Sequence, residues 1–170
     1  MSKLILFDAI DARLVSEVSS VTLVQLWNNQ VANEDQEEAR PSPMVYIEMS
    51  SIEWLELEMG YQQGEVTITV RVVVEKYATD DRTFLTLVDE VYAALQLYTT
   101  DDFSPIKRIS ERQDSDHENL IVWEADYTTV LVDVQAYTER DFTTVTGTAL
   151  EITGDLDIDN EIIRTGDGTY

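Results

Sequence analysis

GEVTITVRVVVE, residues 64–75, carries the plainest pattern in the chain: Val66, Ile68, Val70, Val72 and Val74 fall on one side, while Glu65, Thr67, Thr69, Arg71 and Glu75 mostly fall on the other. A period of two built from β-branched residues is a half-buried strand, apolar toward a core and polar toward water. Upstream, Gly60-Tyr61-Gln62-Gln63-Gly64 offers two glycines for positive φ, as a hairpin loop needs. That loop joins the strand to β-rich runs over 44–49 and 52–59. Downstream, Asp80 and Asp81 cap a helix whose stripe is Phe84, Leu87, Val88, Val91, Tyr92, Leu95 and Tyr98, with Asp89, Glu90 and Gln96 on its wet side.

Farther out, residues 105–113 read as a strand in which basic residues separate Ile106 from Ile109. A turn over 114–119 leads to a long strand over 120–138, where the alternation changes phase. Ile121, Trp123, Ala125 and Tyr127 are odd; Val130, Val132, Val134 and Ala136 are even. A switch of face requires an extra residue or a sharp twist, so a bulge or bend is expected near Thr128 and Thr129. Toward the N-terminus, Leu4, Phe7, Ile10, Leu14 and Val18 mark a first helix, followed by a β-prone stretch over 22–27. Residues 28–42, rich in Asn, Gln, Glu and Asp and closed by Pro41 and Pro43, read as a long exposed loop. The sum is an α+β fold: an antiparallel β-sheet with two main α-helices packed on one face, a long β-hairpin and a C-terminal extension. Residues 1–140 form the domain. Residues 141–170, glycine-bearing and thinly apolar, read as an extension or inter-subunit arm.

Charge bounds the function. Thirty-four acidic residues against 11 basic ones give a formal net charge of -23 over 170 residues. Three of the basic residues are lysines (Lys3, Lys76 and Lys107) and the rest are arginines. Acid-rich, lysine-poor and rich in threonine and valine, the chain reads as adapted to concentrated salt, where the Debye length is about 3 Å at 1 M and self-repulsion is screened. Such a surface argues against direct binding of nucleic acid or anionic lipid. Asp8 and Asp11 interrupt the first apolar run, which excludes a signal peptide or membrane span there. With no cysteine, thiolate metal sites and disulfides are excluded.

Candidate chemistry is sparse. The one histidine, His117, sits among carboxylates in a polar turn and reads as solvated, without a nucleophile motif. Asp155, Asp157 and Asp159 match the first ligand positions of a calcium loop, but Gly166 stands where the bidentate glutamate belongs and Asn160 where the glycine belongs. Glu53, Glu56 and Glu58 invite a paired-carboxylate reading, which needs unequal environments; a solvated acidic face is the simpler account. Trp27, Trp54 and Trp123 read as core or interface anchors, since the cations of a base-stacking platform are missing. No enzyme, metal or cofactor is expected.

The order of elements, carried by VQLWNNQ (24–30), PMVYIEMSSIEW (43–54), GEVTITVRVVVE (64–75), FLTLVDEVYAALQ (84–96) and IKRISERQDSDHENLIVWEADYTTVLVD (106–133), resembles the tail terminator or tail completion proteins of long-tailed viruses. The resemblance covers residues 4–137. It implies a virion protein, assembled in a host cytoplasm, whose six copies close into a ring on the head-proximal end of the tail tube. The ring stops tube polymerisation and offers a docking surface to the head-tail connector protein. Its partners are thus other copies of itself, the tail tube protein and the connector, with genomic DNA only passing through the lumen and no membrane. Trp27, Trp54, Tyr61, Phe103 and Trp123 are the aromatic candidates for subunit contacts. Glu53, Glu56 and Glu58 are candidates for an acidic lumen or a salt-adapted surface. The alternatives are another neck adaptor, an acidic DNA mimic that occupies a nucleic-acid-binding protein, and, most remotely, a hydrolase using His117 or Glu56.

Overall fold

In the computed structural model, strand β4 (Tyr61–Glu75) lies antiparallel to β6 (Leu120–Asp133), paired from Gln62↔Asp133 to Glu75↔Leu120 without a register shift. The structure describes residues 2–28, 42–58, 60–77, 79–114 and 119–134. Around the central pair the other elements are α1 (Ser2–Glu17), β1 (Leu23–Leu26), β2 (Met44–Met49), β3 (Glu53–Glu58), α2 (Asp81–Leu95) and β5 (Lys107–Asp114). Sheet order is β1-β2-β4-β6-β5, and β3 pairs with β4 beyond the end of β2. All described residues belong to the first of two units, Met1–Thr138 and Glu139–Tyr170. The expected loop over 28–42 and the C-terminal extension lie almost wholly outside the described residues.

The fold is α+β, as the periodicities indicate, with one departure. β1 runs parallel to β2, from Leu23↔Met44 to Leu26↔Ile47, so the sheet is mixed although mostly antiparallel. The chain between them, residues 27–43, exceeds the dozen or so residues that a parallel crossover needs. Both helices contribute to one core on one face of the sheet. Leu6, Ile10 and Leu14 of α1 and Phe84, Leu87, Val91 and Leu95 of α2 are buried with Val45 and Ile47 of β2. Val66, Ile68, Val70, Val72 and Val74 of β4 and Ala125, Tyr127 and Leu131 of β6 complete it. Burying a valine or leucine fully contributes about 1.5–3 kcal/mol, so this face holds the sheet to the helices.

The first helix turns differently from expectation. Leu6, not Leu4, continues the buried series Ile10, Leu14 and Val18 at steps of four, and Leu4 is 52% exposed. The run Leu4-Ile5-Leu6-Phe7 is apolar throughout, so sequence alone cannot pick its inner edge. In α2 the Asp80 carboxylate accepts hydrogen bonds from the backbone N–H groups of Arg82 and Thr83 at 3.0 Å. A third comes from the Thr83 hydroxyl at 2.7 Å, and these bonds hold the Asp80 carboxyl below its ordinary range. The helix ends at Leu95; Tyr98, expected on its stripe, lies beyond it and packs edge-on against Phe103 at 5.8 Å.

Two backbone expectations need correction. Gly64 is not in a hairpin loop but inside β4, opposite Trp54. Of the two glycines, Gly60 alone takes positive φ, at 85°. Gly64 is required for a different reason: a Cβ there would lie 2.5 Å from Ile52 Cγ2 and 2.9 Å from the Glu53 carbonyl oxygen. The bulge is also elsewhere. β6 pairs evenly with β4 through Thr128 and Thr129, and register shifts fall instead in β5, between Arg108 and Ser110, and in β3, between Glu56 and Glu58. The phase change in the sequence reflects what each face requires. Thr129 faces the core and satisfies its hydroxyl on the Ser104 carbonyl at 2.6 Å, while Val130 and Val132 stay half-buried on the opposite face.

Because the Glu53 carbonyl is backbone and cannot rotate away, Gly64→Ala is expected to cost about 1–3 kcal/mol by forced displacement of β3. Urea unfolding of the variant measures this. A change within a few tenths of a kcal/mol would contradict the close packing of β3 on β4.

Candidate interaction surface

The helices cover one face of the sheet, and the chemistry worth examining lies on the other. There the residues that alternate with the core positions come together: Glu48 from β2, Thr69 and Arg71 from β4, Glu124 and Asp126 from β6, and Ser110 and Arg112 from β5. Arg71 and Glu124 are directly opposite in the register, and the Arg71 Nε donates to Glu124 Oε1 at 2.6 Å. The other arm of Arg71 reaches Glu48 Oε2 at 2.6 Å, and its guanidinium lies 4.4 Å from the centroid of the Trp27 ring. Arg112 pairs with the second oxygen of Glu124. Glu124 has a side chain only 7% exposed, so both of its oxygens are neutralised where water cannot do so.

Asp126 extends this network. Burial works against its charge, yet hydroxyl hydrogen bonds from Thr69 at 2.7 Å and Ser110 at 2.8 Å, with the guanidiniums of Arg112 and Arg71 nearby, outweigh burial. They hold its carboxyl below the ordinary carboxylate range. Beside the network a small apolar cluster of Met44, Tyr46, Val73 and Val122 is buried, with Leu23, Trp27 and Leu120 packed partly over it. Toward the opposite end, where β3, β4 and β6 run on together, the same face becomes openly apolar. Leu55 is 59% exposed, Val132 stands in the same row as Leu55 across Gln63, and Leu57, 48% exposed, follows at the register shift of β3.

The five aromatic candidates do not converge on one patch. Trp27 lies over the small cluster, edge-on to Tyr46 at 5.6 Å. Trp54 and Trp123 pack, partly buried, against the main core on the helix side; Trp123 meets Phe84 at 6.5 Å, and its indole Nε1 is buried without a hydrogen-bond partner among the described residues. Tyr61 begins β4, half-buried. Phe103 is 2% exposed and belongs to the chain's own core, bridged to Leu131. Glu53 and Glu56 are both exposed, but strand alternation puts them on opposite faces of β3, which removes the geometry of a carboxylate pair. Glu58 pairs through its backbone with Tyr61. His117 and the aspartates at 155, 157 and 159 lie outside the described residues. Among the described residues no three His, Cys, Asp or Glu side chains group as a metal would require, and no helix is long and apolar enough to cross a membrane.

Sequence reading passed over Arg71–Glu124 and the Leu55–Leu57 patch. Its available signal was EWLELE itself: Trp54 and Leu55 occupy opposite parities, so both faces of that strand carry an apolar side chain.

No family model and no curated protein match the chain. Among solved structures, a chain of the virion of native gene transfer agent (GTA) particle shares the fold, with a TM-score of 0.51 and 8% sequence identity over 75% of this chain and 95% of that one.

Arg71→Met leaves a buried carboxylate with one exposed partner, and is expected to cost about 3 kcal/mol in urea unfolding. Arg112→Met, whose side chain is 64% exposed, should cost less than about 1 kcal/mol. Equal losses would contradict the central role of Arg71. Asp126 gives a pH test. Its folded value lies below the unfolded 3.8, so its contribution is present above that pH and fades as pH falls through the folded value. Asp126→Asn should therefore lower stability at neutral pH, and the difference should shrink as pH falls through the folded value, a contrast read from paired denaturation curves.

Proposed function

We propose that this chain is a structural subunit of a tailed-virus-like particle: a ring protein at the head-proximal end of the tail tube that terminates tube polymerisation and joins the tail to the head connector. The observation that carries the reading is the fold shared with 95% of a chain from a gene transfer agent virion. The order of strands and helices that resembles tail terminators supports the finer assignment. Physical features agree with a self-assembling role. One sheet face lies uncovered by helices, apolar side chains stand exposed on β3, and a ring requires heterologous contacts that close.

In this reading six copies form the ring, the tube protein and the connector are its neighbours, and DNA passes without being held. A net charge of -23 suits a wall that repels a polyanion, and also suits work in concentrated salt. The subunit performs no chemistry. On the open sheet face, Glu48, Glu124 and Asp126 are taken up by arginines and hydroxyls. A groove of about 340 Å³ between the end of α1 and the start of α2 is lined in equal part by serine and threonine hydroxyls and by other side chains, with Arg82 and Glu90 its charged members.

Mass photometry and negative-stain imaging in about 1 M salt, where charge is screened, test the reading. Rings of six copies are expected. Added to polymerising tube protein, they should cap one end and stop elongation. Twelve copies would favour a neck adaptor, and a single subunit without effect on tube length would overturn the proposal.

A further inference from the structure

Among the described residues the sheet has three marginal strands, β1, β3 and β5, and the last two have opposite chemistry. β3, EWLELE, carries Glu53, Glu56 and Glu58 and no cation, and among the described residues pairs with β4 alone. β5, KRISERQD, closes the far side of the sheet beyond β6 and is its most basic strand, with Lys107, Arg108 and Arg112 against Glu111 and Asp114. Both strands present exposed apolar side chains: Leu55 and Leu57 on β3, and Ile109, 60% exposed at the bulge, on β5. Lys107 is exposed and has no ion-pair partner among the described residues.

From this we infer that β3 of one copy docks against β5 of the next, a head-to-tail contact that extends the sheet from subunit to subunit. The inference rests on the ring reading and supplies its contact. An unpaired strand edge carries backbone donors and acceptors that another strand can satisfy. Charge selects which edges meet. Two copies at -23 each repel on average. A β3–β3 contact would bring glutamates against glutamates, and a β5–β5 contact would leave cations against cations. β3 against β5 joins opposite signs and covers Leu55, Leu57 and Ile109 together. Such a contact is heterologous, as a closed ring demands. The Ile109 bulge would also restrict pairing with unrelated strands, since a bulged, charged edge resists flat stacking.

The test reverses charge on one edge at a time. Glu53→Lys with Glu56→Lys, and Lys107→Glu with Ile109→Glu, each change exposed residues, and circular dichroism checks that each variant is folded. At about 0.15 M salt each variant alone should self-associate at least about tenfold more weakly than the native chain, because like charges then face one another. Mixed together, or combined in one chain, the two changes should restore assembly. Association of either variant alone at native strength would overturn the contact. A second measurement identifies the occupant directly. The chain has no cysteine, so Leu55→Cys carrying a photo-crosslinker labels one site. Cross-linked peptides from β5 of a second copy are expected; peptides from β3 or from residues 139–170 would overturn the inference. A native chain that forms rings untouched by both tests discards this contact alone, whereas one that never leaves the single-subunit state discards the ring reading with it.

Discussion

The unslipped pairing of β4 with β6 is the constraint on which everything else hangs. Those strands, of 15 and 14 residues, hold one register along their shared length. In an antiparallel pair that register assigns every side chain to a face, and a shift by one residue would exchange the faces. With Val70 opposite Ala125 and Ile68 opposite Tyr127, the helix side is apolar. With Arg71 opposite Glu124 and Thr69 opposite Asp126, the other side is polar and internally paired. Slipping the register would drive Arg71 beneath the helices and expose Val70 and Val72, so hydrophobic burial and ion pairing select the same alignment.

Arg71 and Glu124 are better understood as a lock on that register than as a source of net stability. A buried ion pair roughly offsets its own desolvation, and its loss is costly mainly because one charge is stranded. In a chain with so few cations, placing Arg71 between Glu48 and Glu124, with Trp27 stacked on its guanidinium, uses one scarce positive charge to organise three strands and the segment after β1. Arg108 does something similar at the far side of the sheet, lying 3.7 Å from the centroid of the Tyr92 ring and joining β5 to α2.

What the sequence made legible was what periodicity encodes. Val66, Ile68, Val70, Val72 and Val74, and the stripe from Phe84 to Leu95, declare the core-facing sides of a strand and a helix, and both are found there. Val73 is buried besides, in the small cluster on the other face. What it hid depends on contacts remote in the chain. Gly64 looked like a loop residue because glycine permits positive φ, whereas the structure uses its missing Cβ to admit Ile52 and the Glu53 carbonyl. Val130 and Val132 suggested a change of face because valine usually marks a core, yet they remain half-buried on the open side. Phe103 offered no periodic neighbours, so nothing local announced that it is buried against Tyr98. The interaction surface was harder still: its leucines alternate with glutamates on β3, and only the sheet order shows that this acidic strand and the basic β5 stand at opposite margins.

In the ring reading proposed above, the chain invests one sheet face in its own core and leaves strand edges for other copies. Amide hydrogen exchange, compared between the free chain and its assembled form, addresses that division most directly. The account predicts that amides of β3 and β5 slow on assembly while those of α1 and α2 keep their free-state rates. Slowing confined to the outer helix surfaces, around the exposed Leu4, Val15 and Leu85, with β3 and β5 unchanged, would contradict it.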